Sequence, residues 1–132
     1  MIFGITMGDS SGVGPEILLK SFRNGELRHP VMAFGDAAIL DYCNRLLGYD
    51  VPLRRAADIR DHRPGFLNVR DLGILRVEDL RIGQVSAPSG AAAREYVVAA
   101  TQAALAGEIA ALVTLPINKE ATQLSDPGFV GH

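Results

Sequence analysis

The first apolar block, Ile2 to Thr6, is short and partly β-branched, and it predicts a buried strand. A glycine-rich turn, with glycines at 8, 12 and 14, follows it. Pro15 and Glu16 then stand where the first turn of a helix favours them, and Ile17, Leu18 and Phe22 give that helix an apolar side. Gly25 and Pro30 bracket its end. Val31 to Phe34 predicts a second strand, Gly35-Asp36 a turn with Asp36 as N-cap, and Ala37 to Leu47 a helix stopped by Gly48. In that helix Ile39, Leu40, Cys43, Leu46 and Leu47 recur at helical spacing.

The middle of the chain is less regular. Val51 to Leu53 predicts a short strand, the charged stretch 54–64 a loop, and Phe66 to Val69 and Ile74 to Val77 two further strands. From Ser86 the pattern strengthens. Ser89 is placed to cap a long alanine-rich helix to about Ala106, with Val97, Thr101, Ala104 and Leu105 along one face and Gly107 at its end. Ile109 to Thr114 reads as a strand apolar enough to need neighbours on both sides. Leu115-Pro116 terminates it, and Asn118 opens a short helix to about Leu124. Strands alternating with helices predict an α/β fold, a mainly parallel sheet with helices on both faces. In such folds ligands gather at the carboxyl ends of strands, which singles out the segments 7–16 and 114–120.

Composition narrows the function classes. The 132 residues suit one compact unit or a piece of a larger one; 48% are apolar and the net charge is −2, so neither disorder nor a basic nucleic-acid footprint is expected. No apolar run reaches the length of a membrane span, and the first residues lack the features of a secretory signal, which together predict a cytoplasmic protein. Cys43, the single cysteine, lies in an apolar stretch and reads as a small buried hydrophobe.

The chemistry sits in the two loops. Gly8 to Glu16 is a strand–glycine turn–helix unit, suited to receiving a phosphate or carboxylate or to making a tight structural turn. It is neither a Walker A loop nor a G-x-G-x-x-G fingerprint. Gly8-Asp9-Ser10-Ser11-Gly12 matches G-x-S-x-G, which raises a serine hydrolase with Ser10 as nucleophile, although no D-x-x-H pair accompanies His29, His62 or His132. A non-catalytic anion-binding α/β module is a third class. Lys119 stands at a helix start, where a cation is disfavoured unless something anionic lies near; a solvated pair with Glu120 is the plainer account. Asp9 and Glu16 are of a type to act as acids or bases. His29 and His62 fall in polar loops and read as surface residues. His132, after Gly131, is available to a ligand, and no spacing of histidines or cysteines suggests a metal site within the chain.

Taken together, four segments resemble the 4-hydroxythreonine-4-phosphate dehydrogenase family. Ile5 to Ile17 resembles the family opening ITMGDPAGVGPEI; Gly83-Gln84-Val85-Ser86 with Gly90-Ala91-Ala92 resembles the stretch before its long helix. Gly107-Glu108 through Thr114 to Pro116-Ile117-Asn118-Lys119-Glu120-Ala121 resembles a third block, and Phe129-Val130-Gly131-His132 the start of F-P-G-H-T-E. The resemblance implies the N-terminal portion of a two-domain enzyme with a fold like that of isocitrate and isopropylmalate dehydrogenases, incomplete here and without a complete second domain. It implies a homodimer with shared active sites. The implied reaction is NAD-dependent oxidation, with decarboxylation, of 4-phosphohydroxy-L-threonine on the route to pyridoxal phosphate. A divalent metal (Zn, Mg or Co) assists as a Lewis acid. Related members use threonate or erythronate 4-phosphate, or a cis-dihydrodiol. The resemblance makes His132 a substrate contact and Asp9 and Lys119 site-lining residues, with the metal-binding histidines, the other substrate-holding residues and the NAD segments expected downstream. Isolated, such a fragment is expected to be inactive. Ser10-Ser11 stand where Pro-Ala is frequent, Leu115 where a small residue is common, and Val130 where proline precedes Gly-His, which leaves room for a sugar-acid paralogue.

Overall fold

A computed structural model describes residues 1–125, the side chains of Lys119, Gln123 and Ser125 excepted. Five strands, β1 (Phe3–Thr6), β2 (Val31–Gly35), β3 (Leu53–Arg55), β4 (Leu67–Asp71) and β5 (Ala111–Thr114), form one sheet in the order β3-β4-β2-β1-β5. Every pairing is parallel. Four helices connect them: α1 (Gly14–Arg23), α2 (Ala37–Leu47), α3 (Ala87–Leu105) and α4 (Lys119–Ser125). The α1 and α2 helices pack on each other, while α3 crosses β1, β2 and β5 and packs on α4. With both faces covered, the central strands bury consecutive residues, Gly4 to Thr6 in β1 and Met32 to Gly35 in β2. The parallel α/β architecture expected from the sequence is the one observed. No helix among the described residues is long and apolar enough to cross a membrane.

Several local expectations change. Strand β3 starts at Leu53, two residues past the predicted start, and takes Arg54 and Arg55 out of the predicted loop 54–64. A parallel ladder with β4 and a buried amide account for this. Asn68 accepts from Arg54 Nη1 and the Arg63 N–H, and donates to the carbonyls of Arg63 and Phe66. The predicted strand 74–77 does not form. The Ile74 N–H is instead spent on the Asp36 carboxylate at 2.6 Å, and residues 77–79 make a single 3-10 turn. In α1 the buried pair is Leu18 and Leu19, with Ile17 exposed. In α2 the last turn leaves Leu46 and Leu47 exposed, and Asn44 is buried instead, bonding both the N–H and the carbonyl of Val51.

Ser86, not Ser89, caps α3: its hydroxyl accepts from the Ser89 N–H. The buried face of α3 runs through Ser89, Ala93, Tyr96, Ala100 and Ala103, whereas Thr101 is exposed and Leu105 is 85% exposed. An alanine-rich helix has almost no hydrophobic asymmetry to read, and its small residues are the ones that let it lie close on a sheet. Strand β5 lies at an edge among the described residues, with Val113 51% exposed, rather than between two neighbours. Cys43 is buried and free, as its surroundings predicted.

Candidate functional site

The chain enters the sheet at β1, moves outward to β2, and returns through α3 to place β5 on the other side of β1. The order therefore reverses at β1. Loops leaving the carboxyl ends of β1 and β5 diverge there and open a crevice, which is where open parallel sheets bind ligands. These loops are the two that the sequence singled out. They are joined directly: the Asp9 N–H donates to the Pro116 carbonyl at 3.0 Å. The close approach needs glycine. Gly8 has φ +76°, and a Cβ there would meet the Pro116 oxygen at 2.5 Å; a Cβ at Gly14 would meet the Met7 oxygen at 2.0 Å.

A cavity of about 450 Å³ lies at this junction, walled by residues 9 and 11–13, by 83–85, and by 116–118. Residues 83–85 are held there by Ser11. Its carbonyl accepts from the Gly83 N–H at 2.8 Å, and its hydroxyl accepts from the Arg81 N–H at 3.0 Å and shares a 2.7 Å bond with the Ser89 hydroxyl of α3. Asn118, at the far wall, accepts from the Ala121 N–H and so caps α4, which starts one residue later than the sequence predicted.

Asp9 is 4% exposed. Its Oδ1 accepts from the Ser11 N–H at 2.8 Å, and its Oδ2 is buried with no hydrogen-bond partner. Burial pushes its pKa above the ordinary carboxylate value, against the backbone bonds from Ser11 and Gly12 that pull it down. Just past the end of β2, Asp36 is also buried and also shifted upward by burial. Asp36 stands at the N-cap position of α2 but makes no side-chain cap bond. Its carboxylate accepts instead from the Tyr96 hydroxyl of α3 and from the Ile74 N–H. The first amide of α2 is taken by Asp71, whose Oδ1 accepts from the Ala37 N–H at 3.1 Å, while the Ile39 N–H donates to the Asp36 carbonyl at 3.1 Å. Tyr96 is in turn shifted upward, first by burial and then by the Asp36 charge.

Both aspartates hold their protons to higher pH when folded than when unfolded. Their contribution to stability is therefore greatest below the unfolded carboxylate value near 3.8 and is lost as pH rises through the folded values. Urea unfolding across this range should show stability falling with pH on account of these two groups, with a shallower fall in Asp9→Asn; an identical slope in the variant would refute the assignment.

The other candidates are placed as follows. Lys119 is the first residue of α4, just past the cavity wall at Asn118, and His132 lies outside the described residues. Glu16 is exposed in the first turn of α1 and does not join Asp9 in the cavity wall. Ser10 is 2% exposed and its Oγ is buried. His29 is exposed, packs edge-on against the Phe3 ring, and lies at the opposite, amino end of the sheet beside Pro30. His62 follows the 3-10 turn Ile59–Asp61 in the loop between β3 and β4. Among the described residues no serine–histidine–acid set assembles around Ser10, and no three His, Cys, Asp or Glu side chains come together as a metal set. The sequence reading assigned no site role to Ser11, Asp36 or Tyr96. Their only signal is the placing of polar residues on faces that must be buried.

Comparison with known proteins fits this geometry. The family model described as "Pyridoxal phosphate biosynthetic protein PdxA" matches residues 26–132. A protein of Oceanobacillus iheyensis named "Putative D-threonate 4-phosphate dehydrogenase" is 43% identical over 99% of this chain and 41% of its own length. The D-threonate 4-phosphate dehydrogenase of Cupriavidus necator is 35% identical over 99% of this chain and 40% of its own length. Among solved structures, the 4-hydroxythreonine-4-phosphate dehydrogenase of Burkholderia phymatum superposes with a TM-score of 0.92 at 36% identity, over 99% of this chain and 41% of that one. The chain thus spans about two fifths of the length of these relatives. It belongs to the PdxA family and corresponds to the N-terminal portion of its members.

Proposed function

We propose that this chain is the first portion of a dehydrogenase that oxidises the secondary alcohol of a four-carbon hydroxy acid carrying a 4-phosphate. The observation that supports the reading is the crevice at the reversal of strand order, built from the loops after β1 and β5 that also carry the family motifs. Within that class, 4-phosphohydroxy-L-threonine and D-threonate 4-phosphate are the two substrates to weigh. The D-threonate reading is favoured by the names of the relatives at 43% and 35% identity, and by Ser10-Ser11 in place of the Pro-Ala frequent elsewhere. NAD as hydride acceptor, a divalent metal as Lewis acid, loss of CO2 from the β-keto acid, a homodimer and a cytoplasmic setting belong to the same proposal. The described residues supply no ligand set for the metal and no dinucleotide fingerprint, so neither group is given a residue in this stretch. Asp9 and Lys119 are proposed as site-lining residues and His132 as a substrate contact.

The test is a substrate screen on the full-length protein, following NADH formation with phosphorylated hydroxythreonine, threonate and erythronate. D-threonate 4-phosphate should turn over fastest, and a chelator should abolish the rate. No NADH with any 4-phosphorylated hydroxy acid would remove the proposal.

A further inference from the structure

One wall of the crevice belongs to no helix or strand. Residues 81–85 run as a strap from Leu80, half-buried against the core, to Ser86, the buried N-cap of α3, and all five are exposed. Gln84 and Val85 of this strap line the cavity. Its own hydrogen bonds are local: the Gln84 N–H donates to the Arg81 carbonyl, and the Arg81 guanidinium to the carbonyls of Glu78 and Leu80. Among the described residues, its hydrogen bonds to the rest of the fold all end on Ser11. The Arg81 N–H donates to the Ser11 hydroxyl at 3.0 Å, and the Gly83 N–H to the Ser11 carbonyl at 2.8 Å. Ser11 is itself firmly held. It is 1% exposed, its N–H is taken by Asp9 Oδ1, and its hydroxyl shares a 2.7 Å bond with Ser89 of α3. Gly8 and Gly14, pressed on the Pro116 and Met7 oxygens, fix the turn on which it stands. The hydroxyl is the informative half of this junction. Any residue at position 11 supplies a carbonyl to Gly83, but only a side chain with an acceptor reaches the Arg81 N–H. Alanine, frequent at this position in the family opening that residues 5–17 resemble, supplies none.

We infer that Ser11 is a specificity-determining positioning residue: its hydroxyl latches the 81–85 strap to the glycine turn and so sets where the Gln84–Val85 wall stands across the crevice from residues 116–118. The inference rests on the proposed function in taking the crevice as part of the substrate site. Ser11 acts through the wall that it holds and not by touching the substrate. The two substrates weighed above differ at the second carbon, an ammonium in one and a hydroxyl in the other. A wall with a polar side chain such as Gln84 tells such groups apart only while it is held in place, because discrimination between them rests on hydrogen bonds of defined length and direction.

The experiment compares full-length wild type with Ser11→Ala. Amide hydrogen exchange comes first, because it needs no substrate. The Arg81 and Gly83 amides should exchange about fivefold faster or more in the variant, as expected for loss of one neutral hydrogen bond, and the rise should exceed any in the amides of β2 and β4. Equal exchange at Arg81 in the two proteins would mean that another part of the protein holds the strap, and a rise shared in full by β2 and β4 would mean a general loss of stability; either result overturns the inference. Then kcat and KM are measured for D-threonate 4-phosphate and for 4-phosphohydroxy-L-threonine. The ratio of the two kcat/KM values should move by about threefold or more, through KM, with kcat for the better substrate within about twofold of wild type. A loss of folded protein would lower kcat for both acids alike and leave the ratio as it was, so an unchanged ratio overturns the specificity role. Turnover of neither acid by the wild type would count against the proposed function alone, and the exchange result would still decide whether Ser11 holds the strap.

Discussion

Replacing Tyr96 with phenylalanine should cost the fold about 2 kcal/mol, although the change removes a single oxygen from a fully buried ring. The Tyr96 hydroxyl is one of the donors that hold the Asp36 carboxylate at the end of β2; the Ile74 N–H is another. Phenylalanine keeps the packing and leaves Asp36 Oδ2 buried without that donor. A buried acceptor deprived of its partner loses hydration and regains nothing, which makes such deletions more costly than the net worth of an ordinary hydrogen bond. Urea unfolding at neutral pH reads the cost. The penalty also has a direction in pH. The Tyr96 bond favours the charged form of Asp36, so the variant should approach wild-type stability as the pH is lowered and the carboxyl protonates. A loss below about 0.5 kcal/mol, the size of an ordinary surface substitution, would show that Asp36 finds another donor.

Gly90→Ala should be more damaging, at about 3 kcal/mol, the upper end for an overpacked core. Gly90 lies on the buried side of α3, against α4. A Cβ there would stand 2.3 Å from the Ala121 carbonyl carbon and 2.5 Å from the Thr122 nitrogen. These are backbone atoms, so no side chain can swing aside. The helices must part, and the bond from the Thr122 hydroxyl to the Gly90 carbonyl parts with them. Since α4 follows the 116–118 wall of the crevice, the variant should lower substrate affinity as well as melting temperature. Retention of both would mean that α4 is seated by contacts other than this one.

Much of this architecture is legible in the chain because its signals are local. Gly48, at φ +67°, ends α2 where the apolar spacing stops, and Pro15 opens α1 beside Glu16. The two crevice loops could be named because both follow short apolar strands of a parallel fold. What was not legible depends on partners distant in sequence. Asp36 looks like an N-cap by its position, and only the arrival of Tyr96 and Ile74, 60 and 38 residues on, turns its carboxylate inward. Ser11 is one small polar residue among several until Ser89 meets it across 78 residues. The middle segment misled for a related reason. A charged stretch reads as loop unless a buried amide such as Asn68 collects its arginines, and an apolar stretch such as 74–77 reads as strand unless its N–H groups are already promised elsewhere. The surroundings of Asp9 are half legible. Its place beside the crevice followed from the loop, but the filling of the glycine turn by its own carboxylate depends on a side-chain rotamer that no spacing reveals.

The pairing of β1 with β5 joins Phe3 to Ala111 in register. Contacts between segments so far apart form slowly, because a long loop must close before they give anything back. The glycine turn therefore leaves the ribosome well before the strand that will wall its crevice, and it waits beside an unfinished sheet until β5 arrives. Completion of the crevice would then be a late event of folding, and anything that binds there would report the end of sheet assembly rather than its beginning.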